Sequence, residues 1–285
     1  MMYKILPLAL LLLVSLNTLG QFEIKTSSRG TLFIIGGGSR STGMMQQLID
    51  VSKPSPKDYI VILPMSGEEP DTSFYYIQQD LQMVCRNTIA NLNFTKDKVN
   101  DVVWLDSLKR AKLVFITGGD QNRFMNIVLH TPVQEAIFFA YNNGATIAGT
   151  SAGAALMSKQ MITGNENNGD TTGAGFKRIR LNMVELKEGL GLIDKAIIDQ
   201  HFIARSRYNR LLSVLAQYPS YPCIGIDEGT AIIVKGKRIK VVGISQVIRF
   251  LLPVQNKNAL AKGNLVKLKN VRLDIFTEGE TFMLQ

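Results

Sequence analysis

Cysteine, histidine and tryptophan are scarce in this chain: of 285 residues, two are Cys, two are His and one is Trp. The pair Cys85 and Cys223 excludes a disulfide scaffold and any cysteine-rich zinc module. No HExxH helix and no close Cys/His cluster is present, so neither a metal nor a cofactor is expected. A mechanism that needs an imidazole must use His130 or His201. Charged residues are also few, 19% against 46% apolar, which excludes a disordered chain. The length suffices to bury a core without metals or disulfides. The net charge of +9 is spread out, with no long Lys/Arg run and no basic–aromatic stripe. Nucleic acid is therefore not an expected partner.

The first twenty residues read as an export signal. Lys4 supplies a positive start and ILPLALLLLVSL (5–16) an apolar run. Small residues at Thr18 and Gly20 then offer a cleavage site before Gln21. The run is short for a membrane span, which takes about 20 residues. An uncleaved anchor or a buried N-terminal helix is the competing reading. No cysteine follows the run for lipid attachment. The expectation is a signal peptide over 1–20 and one α/β domain over 21–285. That domain is exported to the periplasm or medium, with no membrane insertion after cleavage. In that compartment the two thiols could pair.

Strand-like and helix-like stretches alternate through the middle of the chain. TLFIIGG (31–37), YIVILPMS (59–66), KLVFITGG (112–119) and ATIAG (145–149) read as buried strands, and DVVWL (101–105) as a further one. Helical spacing marks 41–52, 71–86, 121–129 and 131–144. Strands without polar alternation, separated by helices, predict a doubly wound, mostly parallel sheet covered on both faces. After Thr230 the pattern changes: AIIVKGKRIKVVGIS (231–245) reads as a hairpin turning at 235–237, and 265–276 is β-like. These are expected to be antiparallel strands added to the same domain. TGNENNGDTTGAG (163–175) reads as a long polar loop, either a site wall or a surface insertion.

GTSAG (149–153) matches G-x-S-x-G, a weak pattern by itself. Its context strengthens it, because a buried strand runs into it and AALMSKQM (154–161) reads as a helix leading out. Ser151 then sits at a sharp strand-to-helix turn, with Gly149 and Gly153 removing side chains that would clash. The bland alternative is a serine N-cap. In the nucleophile reading, the Ala152 N–H at the helix start faces a developing oxyanion. The glycines of TGGDQ (117–121) offer a second donor, Gly119, in a turn where Asp120 can also serve as N-cap.

A serine nucleophile needs a base, and histidine suits neutral pH. His130 ends a helical stretch and reads as solvated. His201 ends the strand-like run AIIDQHF (196–202), where active-site groups of parallel sheets collect. The orienting acid is expected at Asp227 or Glu228, an acidic pair inside the apolar run CIGIDEGTAIIV (223–234). If 205–216 is helical, Arg207 and Arg210 share a face and Arg205 lies nearly opposite. All three can meet one ligand only if Arg205 belongs to the turn before the helix, with Ser206 a possible N-cap. A solvated basic helix face is the plain alternative.

Four segments together, FITGGDQ (115–121), GTSAGA (149–154), DQHFIARSRYNRL (199–211) and GIDEGTA (225–231), give the chain a resemblance to the S51 serine peptidases. Among these it is most similar to the cyanophycin-degrading members. The resemblance implies a flavodoxin-like or class I glutamine amidotransferase-like sheet, no cofactor and a homodimer. It also implies Ser151 as nucleophile, His201 as base and Glu228 as acid. Gln121, Asp199, Gln200, Arg205, Arg207 and Arg210 match substrate-pocket positions, with Asp199 a candidate partner for a substrate guanidinium. Cyanophycin is poly-aspartate carrying arginine on each side chain, so it presents free carboxylates that an arginine fork fits. The implied activity is a serine exopeptidase releasing β-Asp-Arg dipeptides through an acyl-enzyme. Ser39 and Arg40 depart from the pattern, since an acid is common after the glycines of GGGSRSTG (36–43).

Two other readings carry different expectations. A related peptidase would take other acidic, Asp-X or isoaspartyl peptides. A non-catalytic nucleotide- or sugar-binding module would use GGGSRSTG as a phosphate loop. The second lacks G-x-x-x-x-G-K and has no acid after the second strand, where Pro64 and Met65 stand.

Overall fold

Residues 31–35, Thr-Leu-Phe-Ile-Ile, are buried along their whole length, as a strand covered on both faces must be. They form β1 (Thr31–Ile35) in a computed structural model that describes residues 30–167, 178–253 and 264–284. The leader read at 1–20, and 168–175 of the polar stretch, lie outside the described residues.

The chain continues through α1 (Thr42–Ser52), β2 (Tyr59–Leu63), α2 (Pro70–Gln82), β3 (Thr88–Asn91), α3 (Val102–Arg110) and β4 (Leu113–Ile116). Then come α4 (Gln121–Val128), α5 (Pro132–Asn142), β5 (Thr146–Thr150), α6 (Ala152–Ala155), β6 (Gln160–Glu166) and β7 (Val184–Glu188). The remainder is β8 (Ile197–Gln200), α7 (Tyr208–Gln217), β9 (Cys223–Ile226), β10 (Thr230–Lys235), β11 (Arg238–Gly243), β12 (Val247–Leu251), β13 (Arg272–Phe276) and β14 (Thr281–Met283).

The large sheet runs β14-β11-β10-β1-β5-β4-β2-β3. Strands β3, β2, β4, β5 and β1 are mutually parallel, and β10, β11 and β14 extend them antiparallel. Alternate residues of β1 separate two cores. Phe33 and Ile35 pack with Met44, Met45 and Leu48 of α1 and Ile77 and Leu81 of α2. Leu32 and Ile34 join Leu105 and Leu108 of α3, Phe124 of α4 and Ile137 of α5. The period of two in the strand thus builds a three-layer, doubly wound fold. Each fully buried side chain of this kind contributes about 1.5–3 kcal/mol.

A second sheet, β13-β12-β9-β8, sits against the core that holds Leu32 and Ile34. Its alternate residues divide in the same way. Ile198, Ile224, Ile226 and Val247 belong to the shared core, whereas Ile197, Cys223, Ile248 and Phe250 pack under Leu211, Val214 and Leu215 of α7. Arg249 staples the tail to this sheet: it pairs with Asp274, donates to the Met283 carbonyl and lies over the rings of Phe276 and Phe282. Cys85 and Cys223 are both free, and they border different cores.

Two expectations are corrected. DVVWL is the start of α3, not a strand, because the Asp101 carboxylate caps the Trp104 N–H and the spacing of Leu105 and Leu108 buries one helical face. Val102 and Val103, which suggested β structure, are exposed in its first turn. The sheet's outer strand is β3 instead. The helix after Ser151 stops at Ala155, because Leu156 and Lys159 enter backbone pairing with Leu190, Gly189 and Ile193. Residues 160–161 therefore open β6, which also takes 163–166 from the expected loop.

Candidate active site

The carboxyl ends of β1, β4, β5, β8 and β9 meet at one place, and five short turns leave from it. Ser151 occupies the turn after β5 with φ 53° and ψ −111°. A non-glycine residue held in such a region costs about 1–3 kcal/mol and needs close packing to persist. Here the Ser151 N–H donates to the Ile35 carbonyl at 3.1 Å. The flanking glycines are sterically required. A methyl on Gly149 would lie 2.2 Å from the Gly153 carbonyl oxygen, and one on Gly153 would lie 2.4 Å from that of Ile116.

His201 follows β8, also with positive φ (48°), and its N–H donates to the Gly36 carbonyl at 2.7 Å. Its Nε2 lies 2.9 Å from Ser151 Oγ, and its Nδ1 lies 2.5 Å from Glu228 Oε1. A hydroxyl, an imidazole and a carboxylate joined in this order can pass the hydroxyl proton to the ring while the acid holds the tautomer. Burial pushes the His201 imidazole below its ordinary 6.5; the Glu228 hydrogen bond opposes that, and nearby Arg205 and Arg207 reinforce it. The ring is therefore neutral at neutral pH, with Nε2 free to accept a proton. His130 is exposed near Glu188, away from this cluster.

The two members of the acidic pair face different ways. Glu228 meets the imidazole and is partly exposed. Asp227 is buried and accepts hydrogen bonds from the Ile203 and Ala204 N–H groups and from Ser245 Oγ. Burial raises its pKa, but these bonds together with one from the Glu228 N–H outweigh that and hold it below 3.8.

Gly36, Gly37 and Gly38 are part of the site. A methyl at Gly37 would sit 2.3 Å from His201 Cε1, and one at Gly38 would sit 2.8 Å from Glu228 Cβ. The segment thus packs directly beneath the imidazole and the carboxylate. Arg40, two residues on, pairs with Asp80 of α2 at 2.6 Å and reaches the Gly38 carbonyl. The signal was three successive glycines after a buried strand.

After β4, Gly118 approaches Ser151: a methyl there would lie 3.3 Å from Ser151 Cβ. Gly119 has φ 132° and presses on the Ser66 carbonyl, where a side chain would collide at 2.1 Å. The N–H groups of Gly119 and Ala152 make no hydrogen bond among the described residues. Asp120 caps α4 through the Asn122 N–H. Gln121 is buried, and its amide donates to the Ile162 and Thr163 carbonyls of β6 at 2.9 and 2.6 Å.

The arginines fall into two layers. Arg205 and Ser206 lie in the turn before α7, and the residue at the helix N-cap is Arg207 rather than Ser206. Arg205 is exposed. Arg207 donates to the Gln200 carbonyl at 2.6 Å and to its Oε1 at 2.8 Å. Burial, then Arg210 close by, brings the Arg207 pKa down to about 10 despite Asp199, so it stays charged. Beneath it, Arg210 and Asp199 are both buried and form a two-pronged ion pair with each other.

Comparison with known proteins identifies the family. The family model for peptidase family S51 matches residues 32–242. The chain is 33% identical over 283 residues to the cyanophycinase of Trichormus variabilis, covering 94% of this chain and 92% of that one. It is 34% identical over 231 residues to the cyanophycinase of Geminocystis herdmanii, covering 78% and 81%. Among solved structures, a peptidase from an acI-B1 Actinobacterium superposes with a TM-score of 0.63 at 19% identity, covering 90% of this chain and 98% of that one. The chain belongs to peptidase family S51 and is a serine-type peptidase.

Proposed function

We propose that this chain is an exported serine exopeptidase that cuts the aspartate backbone of cyanophycin and releases β-Asp-Arg dipeptides. The observation that carries the mechanism is the continuous Ser151–His201–Glu228 hydrogen-bond chain. Ser151 Oγ attacks the carbonyl between successive aspartates as His201 Nε2 takes its proton. The oxyanion is met by the Ala152 and Gly119 N–H groups. His201 then gives the proton to the leaving amine, and water, deprotonated by the same ring, releases the acyl group. Glu228 keeps the proton of the neutral ring on Nδ1 and stabilises the imidazolium that forms.

The substrate assignment rests on the cyanophycinase relatives and on the charge around the site. Arg205 and Arg207 offer guanidinium groups on the same turn as the base, suited to the free carboxylate of an arginine branch. Asp199, Gln200 and Arg210 support this surface from below, and Gln121 fixes the β6 wall. Export rests on the leader over 1–20.

The test is mass spectrometry of products after purified protein meets the insoluble polymer and a panel of short Asp-X and isoaspartyl peptides. Release of β-Asp-Arg by wild type and none by Ser151→Ala is the expected result. Cleavage of short peptides without attack on the polymer would assign a different acidic substrate. A fully active Ser151→Ala variant would overturn the mechanism.

A further inference from the structure

Asp227 is a buried carboxylate that the proton chain does not use, one residue from Glu228. Its Oδ1 accepts from the Ile203 and Ala204 N–H groups at 3.0 and 2.9 Å, and its Oδ2 accepts from Ser245 Oγ at 2.7 Å. Its own N–H donates to the Gln246 carbonyl at 3.2 Å. Ile203 and Ala204 lie in the turn from His201 to Arg207, which leaves β8 through a left-handed residue. That turn closes on itself through bonds from the Arg205 N–H to the His201 carbonyl and from the Arg207 N–H to the Phe202 carbonyl. The two N–H groups at its middle, of half-buried Ile203 and exposed Ala204, lie outside any helix that could serve them. One carboxylate oxygen satisfies both, as a capping residue does at a helix start.

We infer that Asp227 is a positioning residue for this site: it grips the backbone of the His201–Arg207 turn while the adjacent Glu228 grips the ring of His201. Two consecutive carboxylates hold one turn at two points. The same grip therefore sets the imidazole against Ser151 and the direction of Arg205 and Arg207. Ser245, at the corner between β11 and β12, anchors the grip. This explains why an acidic pair interrupts the apolar run 223–234 although only one of the two meets the imidazole. The inference rests on the serine-nucleophile reading, but not on the polymer as substrate.

The test therefore uses two readouts, polymer hydrolysis and the rate at which a fluorophosphonate labels Ser151 across pH. Asp227→Ala frees the turn and is expected to slow labelling about 100-fold, the scale of a misplacement near 1 Å. Asp227→Asn keeps an oxygen for both N–H groups and an amide toward Ser245, and is expected to recover most of the rate. Ser245→Ala is expected to fall between wild type and Asp227→Ala. The acid limb of labelling should move up in Asp227→Ala as the ring gains water, with Glu228, Arg205 and Arg207 still facing it. Circular dichroism and thermal melting establish the folded fraction, to which each rate is normalised.

Equal labelling of folded wild type and Asp227→Ala, with the same acid limb, would reduce Asp227 to a stability role and overturn the inference. So would an Asp227→Asn variant as slow as Asp227→Ala, since charge and not geometry would then decide. A wild type that is labelled but leaves the polymer intact overturns the substrate proposal alone. A wild type that takes no label overturns both the nucleophile reading and this inference.

Discussion

Arg210 and Asp199 form a buried ion pair across eleven residues of chain, joining α7 to the end of β8 beneath the charged mouth of the site. Both side chains are almost fully removed from water, at 4% and 1% exposure, so neither charge can be left alone. Removing one partner of such a pair costs about 3–5 kcal/mol, because the survivor keeps its desolvation penalty. Arg210→Met and Asp199→Ala are each expected to lose stability on this scale in urea unfolding. The double replacement is expected to lose less than the sum of the two.

Arg207 lies above that pair and behaves differently. Its fork is held by Gln200, but its side chain keeps 14% of its exposure. Arg207→Lys retains the charge and loses the planar fork. The expected result is a rise in KM for carboxylate-bearing substrates of about 10- to 100-fold, matching about 1.5–3 kcal/mol for a charge-assisted hydrogen bond. kcat should change far less, because no reacting atom is touched. Steady-state kinetics on soluble branched peptides separates the two.

The pH profile follows from the environment of His201. The ring must be neutral to accept the Ser151 proton, so activity falls as pH drops through its pKa. Burial sets that pKa below 6.5, so the acid limb of kcat/KM is expected below 6.5. Arg205 pushes the imidazole further down, so Arg205→Ala should move the limb upward. Glu228→Gln removes the contribution that raises it, so the limb should move down while the rate falls. Stability carries the same sign: between the folded pKa and 6.5 the unfolded chain binds more protons, so stability declines as pH falls through that window.

Gly37 tests the floor of the site. Its φ is 113°, and a methyl there would meet three atoms of the His201 ring between 2.3 and 2.8 Å. Gly37→Ala is expected to displace the imidazole and lower kcat about 100-fold. Gly236, in the exposed β10–β11 turn, also has positive φ, but nothing lies within 4 Å of a methyl there. Gly236→Ala should carry the backbone strain alone and leave kcat unchanged. The comparison separates strain from collision.

Much of the fold was legible because its signals are local. Unbroken apolar runs ending in glycine predict β1, β4 and β5, and Ser41 and Pro132 mark the starts of α1 and α5. The misreading at 101–105 arose where β-branched Val102 and Val103 outvoted a capping aspartate three residues before Trp104. The short α6 was not legible, since its end depends on pairing with 189–193, a segment about thirty residues later.

By itself, the sequence narrowed the base to two histidines and placed Ser151 between two glycines at a strand end. Scarcity did that work, because residue counts and strand–glycine punctuation need no knowledge of distant contacts. The resemblance already pointed to Glu228 as the acid; the tertiary structure decided that Asp227, beside it, holds the backbone. It also turned Asp199 and Arg210 toward each other and laid Gly36–Gly38 under His201 and Glu228. These are relations between strands far apart in the chain, and close packing with the need to pair every buried charge and donor settles them only once the sheets are assembled.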